Sequence, residues 1–279
     1  MDAGRRNFDD IDGCGGPPIG EFVAIDGARQ ARRGRRRRAS VSGGAIPLGA
    51  AGDHGRGLLL GLVTVAVATT AALGVVVASE HDVLDALLSP DPVDTLRRLA
   101  GPLVLAGAVF EAVLGAGVML VTRANPFASL RGLTRDDLLR GAITFLLALF
   151  AWTFFVSAID GGGGRHWWPA ALGWLLAVEV LVTAIVAPVL EEHLFRGIVL
   201  VGLRGRFGPV IGVLGQAAIY GSAHVWALRD AGRPATVVGM AAVGAVFGWM
   251  AHTADDLKAV IVGHMMFGAW VLAERVFGW

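Results

Sequence analysis

The chain has 279 residues, of which 54% are hydrophobic and only 17% are charged, and its formal net charge at pH 7 is +1. With a mean hydropathy of +0.61, it has too little polar surface to cover a water-soluble fold of this size. The composition therefore excludes an ordinary soluble domain and predicts an integral membrane protein. The single cysteine, Cys14, excludes an internal disulfide and a thiolate metal site.

The first part of the chain, 1–55, is polar and rich in arginine, with seven arginines between positions 29 and 38. It has no sustained apolar period, so we predict a disordered, arginine-rich tail. Clustered arginine also attracts the phosphates of nucleic acids. Beside a membrane span, however, basic residues are retained on the cytoplasmic side. We therefore expect a multi-pass protein of the cell membrane with a cytoplasmic N-terminus, and no nucleic-acid partner.

Seven apolar runs follow the tail, and three of them have about the 20 residues that a helix needs to cross a hydrocarbon core of about 30 Å. Charges in the connectors alternate between acidic and basic, as the positive-inside rule requires. The sequence predicts an all-α, polytopic transmembrane helical bundle of about seven spans, with N-terminal helices over 56–164 and a four-helix core over 165–279. The runs are 58–78, 102–122, 141–158, 168–190, 209–224, 235–251 and 257–277.

The segment 168–203 is too long for one upright crossing. Its 36 residues would extend about 54 Å as a helix at 1.5 Å per residue. Proline removes a backbone donor and clashes with the preceding turn. We therefore expect Pro188 to kink or break the helix.

An acidic pair, Glu191 and Glu192, follows this proline between strongly apolar flanks. Ionisable groups at membrane depth cost about 2.5 kcal/mol or more on insertion scales, so they indicate a functional site and need partners. Glu192 and Arg196 have the i,i+4 spacing of a helical ion pair. That pair would leave Glu191, turned about 100° away, free for chemistry. The structural alternative is an ion pair that steadies a kinked helix.

Two histidines, His224 and His264, lie in later apolar runs. Measured along their helices from connectors on one side of the membrane, Glu191, His224 and His264 lie about 20, 24 and 12 Å deep. Helix tilt changes such depths by several ångströms. The three side chains can therefore converge below the surface, and we predict that they do.

These residues resemble the CAAX protease and bacteriocin-processing (CPBP) intramembrane proteases, related to the Ras-converting enzyme. The resemblance covers about 165–279 and rests on two motifs. Glu-Glu-x-x-x-Arg is matched by Glu191, Glu192 and Arg196 and extended by Phe195, and aromatic-x-x-x-His is matched by Tyr220 and His224. It implies an intramembrane endopeptidase acting on a membrane-associated peptide or protein.

The resemblance also implies roles for the three central side chains. Glu191 would be the general base that activates water, His224 would orient that water and His264 would stabilise the oxyanion. Glu192, Arg196, Tyr220 and Phe195 would support them.

The chain departs from the family pattern at two positions. Tyr220 stands where the family usually has phenylalanine, and its hydroxyl needs a partner. Gly268 stands where the final His-x-x-x-Asn motif has asparagine. Loss of an oxyanion donor can cost about 10² to 10³ in rate. A non-catalytic membrane scaffold or immunity factor of the same fold is therefore an alternative.

Two further alternatives use the same ionisable groups. A glutamate and two histidines are also the ligand set of catalytic zinc sites, so a zinc-dependent protease would use Glu191, His224 and His264 as ligands. The resemblance favours the metal-free version, without a cofactor. A proton-coupled transporter would use Glu191 and Glu179 as carriers.

Other polar and small residues in the spans are interpreted as packing features. We expect Glu111, Glu179, Gln216 and His193 to face helix interfaces or the interior of the bundle, with Glu179 also a candidate for a supporting role at the site. Gly244 and Gly248 form a small-xxx-small face that predicts close helix packing.

Overall fold

A computed structural model describes residues 53–79, 92–160, 174–224, 234–254 and 256–277. The predicted tail lies outside these residues except for 53–55, which begin the first helix. The described residues form seven helices and no strand, which confirms the predicted all-α bundle. The helices are α1 (Asp53–Ala78), α2 (Pro92–Thr122), α3 (Arg135–Asp160), α4 (174–207), α5 (Pro209–Ala223), α6 (Pro234–Ala254) and α7 (Lys258–Phe277).

Four of these helices are long and apolar enough to cross a membrane. The apolar stretches are Gly55–Val75, Val104–Thr122, Arg135–Ile159 and Ala235–Ala254, in α1, α2, α3 and α6. Helix α5 is apolar but shorter. Helices α4 and α7 contain the motif residues Glu191, Glu192, Arg196 and His264. The count of seven crossings stays a prediction.

Helix α4 is irregular but does not break at Pro188. It alternates between α-helical pieces and two π-helical stretches, Val182–Val186 and Glu192–Leu200. Pro188 stands in the first turn of the α-helical piece Ala187–Glu191, directly after the first π stretch. The first turn of a helix tolerates a missing N–H group. Of the kink or break expected at Pro188, the break is therefore absent, and the helix continues through the proline.

Close helix packing holds the C-terminal helices together. Helix α5 packs against α6, and α3 packs against α6 and α7. A Cβ atom on Gly244 would lie 2.9 Å from the Tyr220 ring, and one on Gly248 would lie 2.5 Å from the amide oxygen of Gln216. Both glycines thus face α5, which confirms the predicted small-residue interface.

The basic connectors lie at one end of the bundle. Arg204 near the end of α4 donates to the Nδ1 atom of His252 on α6 at 2.9 Å. Lys258 donates to the carbonyl oxygen of Gly132, before α3, at 3.2 Å. The connectors that the positive-inside rule assigns to a common side are therefore neighbours in space.

Candidate active site

Glu191 and Glu192 lie in the middle of α4, at the change from α-helical to π-helical winding. Both carboxylates are buried, and neighbouring side chains come from α2, from the end of α5 and from α7. Two buried carboxylates require donors or opposite charges nearby. The partners of each carboxylate therefore decide what it can do.

Glu192 is engaged by two cationic or donor groups. Arg196 donates from Nη1 to its Oε1 atom at 2.8 Å, and His264 donates from Nδ1 to the same oxygen at 2.7 Å. The Arg196 guanidinium also lies over the Tyr220 ring, 4.5 Å from its centroid, and donates to the carbonyl oxygen of Gly244 at 3.3 Å. Glu192 is thus part of a structural ion-pair network, as the i,i+4 spacing predicted.

Glu191 lies between two imidazole rings. Its Oε1 atom is 3.8 Å from Nε2 of His224, and its Oε2 atom is 3.8 Å from Nε2 of His264. These separations exceed a direct hydrogen bond. The structure therefore brings the three predicted side chains around one point without bonding them to each other.

The other ring nitrogens fix which atoms face Glu191. His224 donates from Nδ1 to the carbonyl oxygen of Tyr220 at 2.8 Å, and His264 uses its Nδ1 for Glu192. The Nε2 atom of each ring therefore faces Glu191. The Tyr220 hydroxyl lies 3.4 Å from Nε2 of His264, which gives it the partner that its burial requires. His224 is partly exposed, so the site is not sealed on that side.

Two motif positions, Phe195 and Gly268, contribute to packing and do not lie beside Glu191. Phe195 packs edge-on against Tyr220, with ring centroids 4.9 Å apart. Gly268 on α7 lies against the backbone of Thr183 and Ala184 in the first π stretch of α4. A side chain at position 268 would collide with that backbone, so glycine at this position has a packing reason.

Glu111 belongs to the site, although the sequence indicated only a helix interface. It is buried on α2, and its carboxyl group lies within side-chain hydrogen-bonding range of Glu191. The neighbouring Phe110 ring lies 6.3 Å from the His224 ring. Glu111 is the lone acidic residue of its apolar run. A carboxylate at membrane depth is itself a signal of function, and this signal could have identified it.

The other polar residues that were predicted to face helix interfaces are His193, Gln216 and Glu179, and all three are buried. His193 donates from Nδ1 to the carbonyl oxygen of Val189 within α4 at 2.7 Å. Gln216 is fully buried beside Gly248, and Glu179 is buried on α4. Within the described ranges, no group of three or more His, Cys, Asp and Glu side chains has a metal-binding arrangement.

Comparison with known proteins agrees with the motifs. Residues 173–270 match the family model of type II CAAX prenyl endopeptidase Rce1-like proteins. This match takes in the motif residues of α4, α5 and α7 and leaves α1, α2 and α3 outside. No curated protein and no solved structure matches the chain. The segment 173–270 is therefore similar to the Rce1-like family of type II CAAX prenyl endopeptidases, in agreement with the resemblance of its motifs.

Proposed function

We propose that this chain is an intramembrane endopeptidase that hydrolyses a peptide bond of a membrane-associated peptide or protein with a glutamate-activated water. One observation carries the proposal. The two carboxylate oxygens of the buried Glu191 each face a different imidazole ring. One lies 3.8 Å from Nε2 of His224, and the other lies 3.8 Å from Nε2 of His264. A base and two ring nitrogens therefore lie close enough together to act on one reacting group.

Glu191 acts as the general base in this mechanism. It takes a proton from a water molecule as the water oxygen attacks the carbonyl carbon of the scissile bond. His224, whose Nδ1–H is held by the Tyr220 carbonyl, presents Nε2 as an acceptor that orients the same water. Glu191 then returns the proton to the leaving nitrogen as the C–N bond breaks. The products are a carboxylic acid and an amine, which exchange a proton to give a carboxylate and an ammonium group.

His264 and Tyr220 stabilise the negative charge that develops on the carbonyl oxygen. His264 donates from Nδ1 to the Glu192 carboxylate, and a ring that carries a proton on both nitrogens donates from Nε2 to the carbonyl oxygen. The Tyr220 hydroxyl, 3.4 Å from that nitrogen, is a second donor at the same place. These donors act in a buried site, where preorganised hydrogen bonds stabilise charge more strongly than in water.

The substrate class is set by where the site lies. The reacting groups belong to helices of a membrane bundle, so a substrate must reach them from the lipid or from its surface. The matched family is named for prenylated CAAX peptides. A test should therefore offer farnesylated CAAX peptides beside unmodified, membrane-associated peptides.

The experiment measures cleavage of such a peptide library by the purified full chain in detergent, with products identified by mass spectrometry. We expect wild-type cleavage and a loss of about 10² to 10⁴-fold in Glu191→Ala, His224→Ala and His264→Ala. His252→Ala, at the end of α6 away from Glu191, is the matched control and should retain activity.

Three outcomes would overturn parts of the proposal. Full activity in all three variants would refute the assigned roles, and a folded wild-type protein that cleaves no peptide would favour the non-catalytic scaffold. A chelator that abolishes cleavage, with recovery on adding zinc, would replace the metal-free mechanism by one in which the same three residues are ligands.

A further inference from the structure

A second buried carboxyl group reaches the site from outside the family-matched segment. Glu111 lies on α2, with a carboxyl group within side-chain hydrogen-bonding range of Glu191. The contact is not isolated, because the preceding residue, Phe110, lies beside the His224 ring. Helix α2 therefore covers the site with one polar and one aromatic side chain.

Ionising both Glu111 and Glu191 in this contact would cost much free energy. Two carboxylates in contact inside a bundle repel each other, and burial adds the cost of desolvating both charges. A single proton held between them removes the repulsion and forms a strong hydrogen bond between an acid and a carboxylate. The Oε2 atoms of Glu111 and Glu191 are both buried without a donor among the described residues. A shared proton supplies a donor that the carboxyl pair lacks.

The surroundings decide which carboxyl group holds the proton. Glu191 has polar neighbours besides Glu111, namely two imidazole rings and the Tyr220 hydroxyl. Glu111 lies in an apolar part of α2 and faces Glu191. The acid is therefore Glu111, and the acceptor is Glu191.

We propose that Glu111 is a positioning residue of the active site: its carboxylic acid donates a hydrogen bond to Glu191 and holds that carboxylate between His224 and His264. The inference rests on the proposed function for its catalytic consequence. It also makes α2, outside the matched segment 173–270, part of the functional unit. A base that is free to rotate would spend less time in the productive geometry, which lowers the rate of the chemical step.

Kinetics of two substitutions test this role. Glu111→Gln keeps a donor of similar size, so we expect kcat to stay within about tenfold of the wild type, whereas Glu111→Leu should lower kcat by roughly 10²-fold with little change in KM. Glu274→Gln, a buried carboxyl group on α7 ten residues after His264, is the matched control. Equal kcat values for Glu111→Gln and Glu111→Leu, whether both normal or both lost in folded protein, would overturn the proposal.

Infrared spectroscopy tests the hydrogen bond without requiring activity. The wild-type spectrum minus the Glu111→Gln spectrum should contain the C=O stretching band of a protonated carboxyl group. In Glu191→Ala this band should move to higher frequency, because the acceptor is gone. An unmoved band, or no such band, would contradict the bond. If the wild type cleaves no peptide but the band moves as expected, the proposed function fails and the Glu111–Glu191 contact stands.

Discussion

At the residue scale, the two departures from the family motif, Gly268 and Tyr220, can be explained together. Gly268 lets α7 approach the backbone of Thr183 and Ala184 so closely that no side chain fits. The motif asparagine is therefore incompatible with this packing. At the same site, Tyr220 presents a hydroxyl 3.4 Å from Nε2 of His264, where phenylalanine would present none. In the proposed mechanism, a donor is thus lost at position 268 and another is gained at position 220.

Restoring the motif residue should harm this protein. In Gly268→Asn the new Cβ atom meets the Thr183 carbonyl oxygen, a backbone atom that cannot rotate away. We expect a loss of about 1 to 3 kcal/mol in the free energy of unfolding and no gain in kcat. Thermal unfolding in detergent and the peptide assay measure both quantities. Gly268→Ala should show a smaller loss of the same sign, and higher activity in a stable Gly268→Asn protein would refute the packing argument.

At the element scale, the contact between α5 and α6 fixes the position of two site residues. Gly221 lies between Tyr220 and His224 in sequence, and a Cβ atom there would be 2.7 Å from the carbonyl oxygen of Val237 on α6. Close backbone approach of this kind is how membrane helices associate, because lipid supplies no hydrophobic drive between them. The glycine therefore sets how closely α5, which ends beside His224, packs against α6.

Gly221→Ala tests this contact. The added methyl group must push α5 and α6 apart, so we expect a loss of about 1 to 3 kcal/mol in stability together with a lower kcat. Gly205→Ala is the control, because Gly205 on α4 has nothing within 4 Å of its Cβ position and alanine favours a helix. Thermal unfolding of both variants in the same detergent gives the comparison. Equal melting temperatures for the two variants would show that the α5–α6 contact is not tight.

At the scale of the whole molecule, the sequence predicted the helices well because the membrane imposes a strong local constraint. Every backbone donor and acceptor in lipid must be satisfied within the segment, so apolar runs of sufficient length become helices. The run 102–122, for example, lies within α2 and ends with it at Thr122. The Glu192–Arg196 pair was also predictable, because its spacing is a property of one helix.

Features that depend on contacts between distant helices were not predictable. The π stretches of α4 and its uninterrupted course through Pro188 leave no periodic signal in the sequence. Glu111 carries a signal of function but no signal of its partner, because α2 meets α4 only in the folded bundle. Spacing along a helix therefore identified the carboxylates of α4, whereas only the structure showed that Glu191 meets Glu111.

In the proposed mechanism, Glu191 and His224 act as one unit on one water molecule. The most direct test compares kcat for Glu191→Ala, His224→Ala and the double variant in one detergent, with the same peptide. Residues that act as a unit have strongly non-additive effects, so the double variant should lose no more than about the larger single loss, roughly 10² to 10⁴-fold. Losses that multiply in the double variant would contradict the claim, because they would mean that the two side chains act in separate steps.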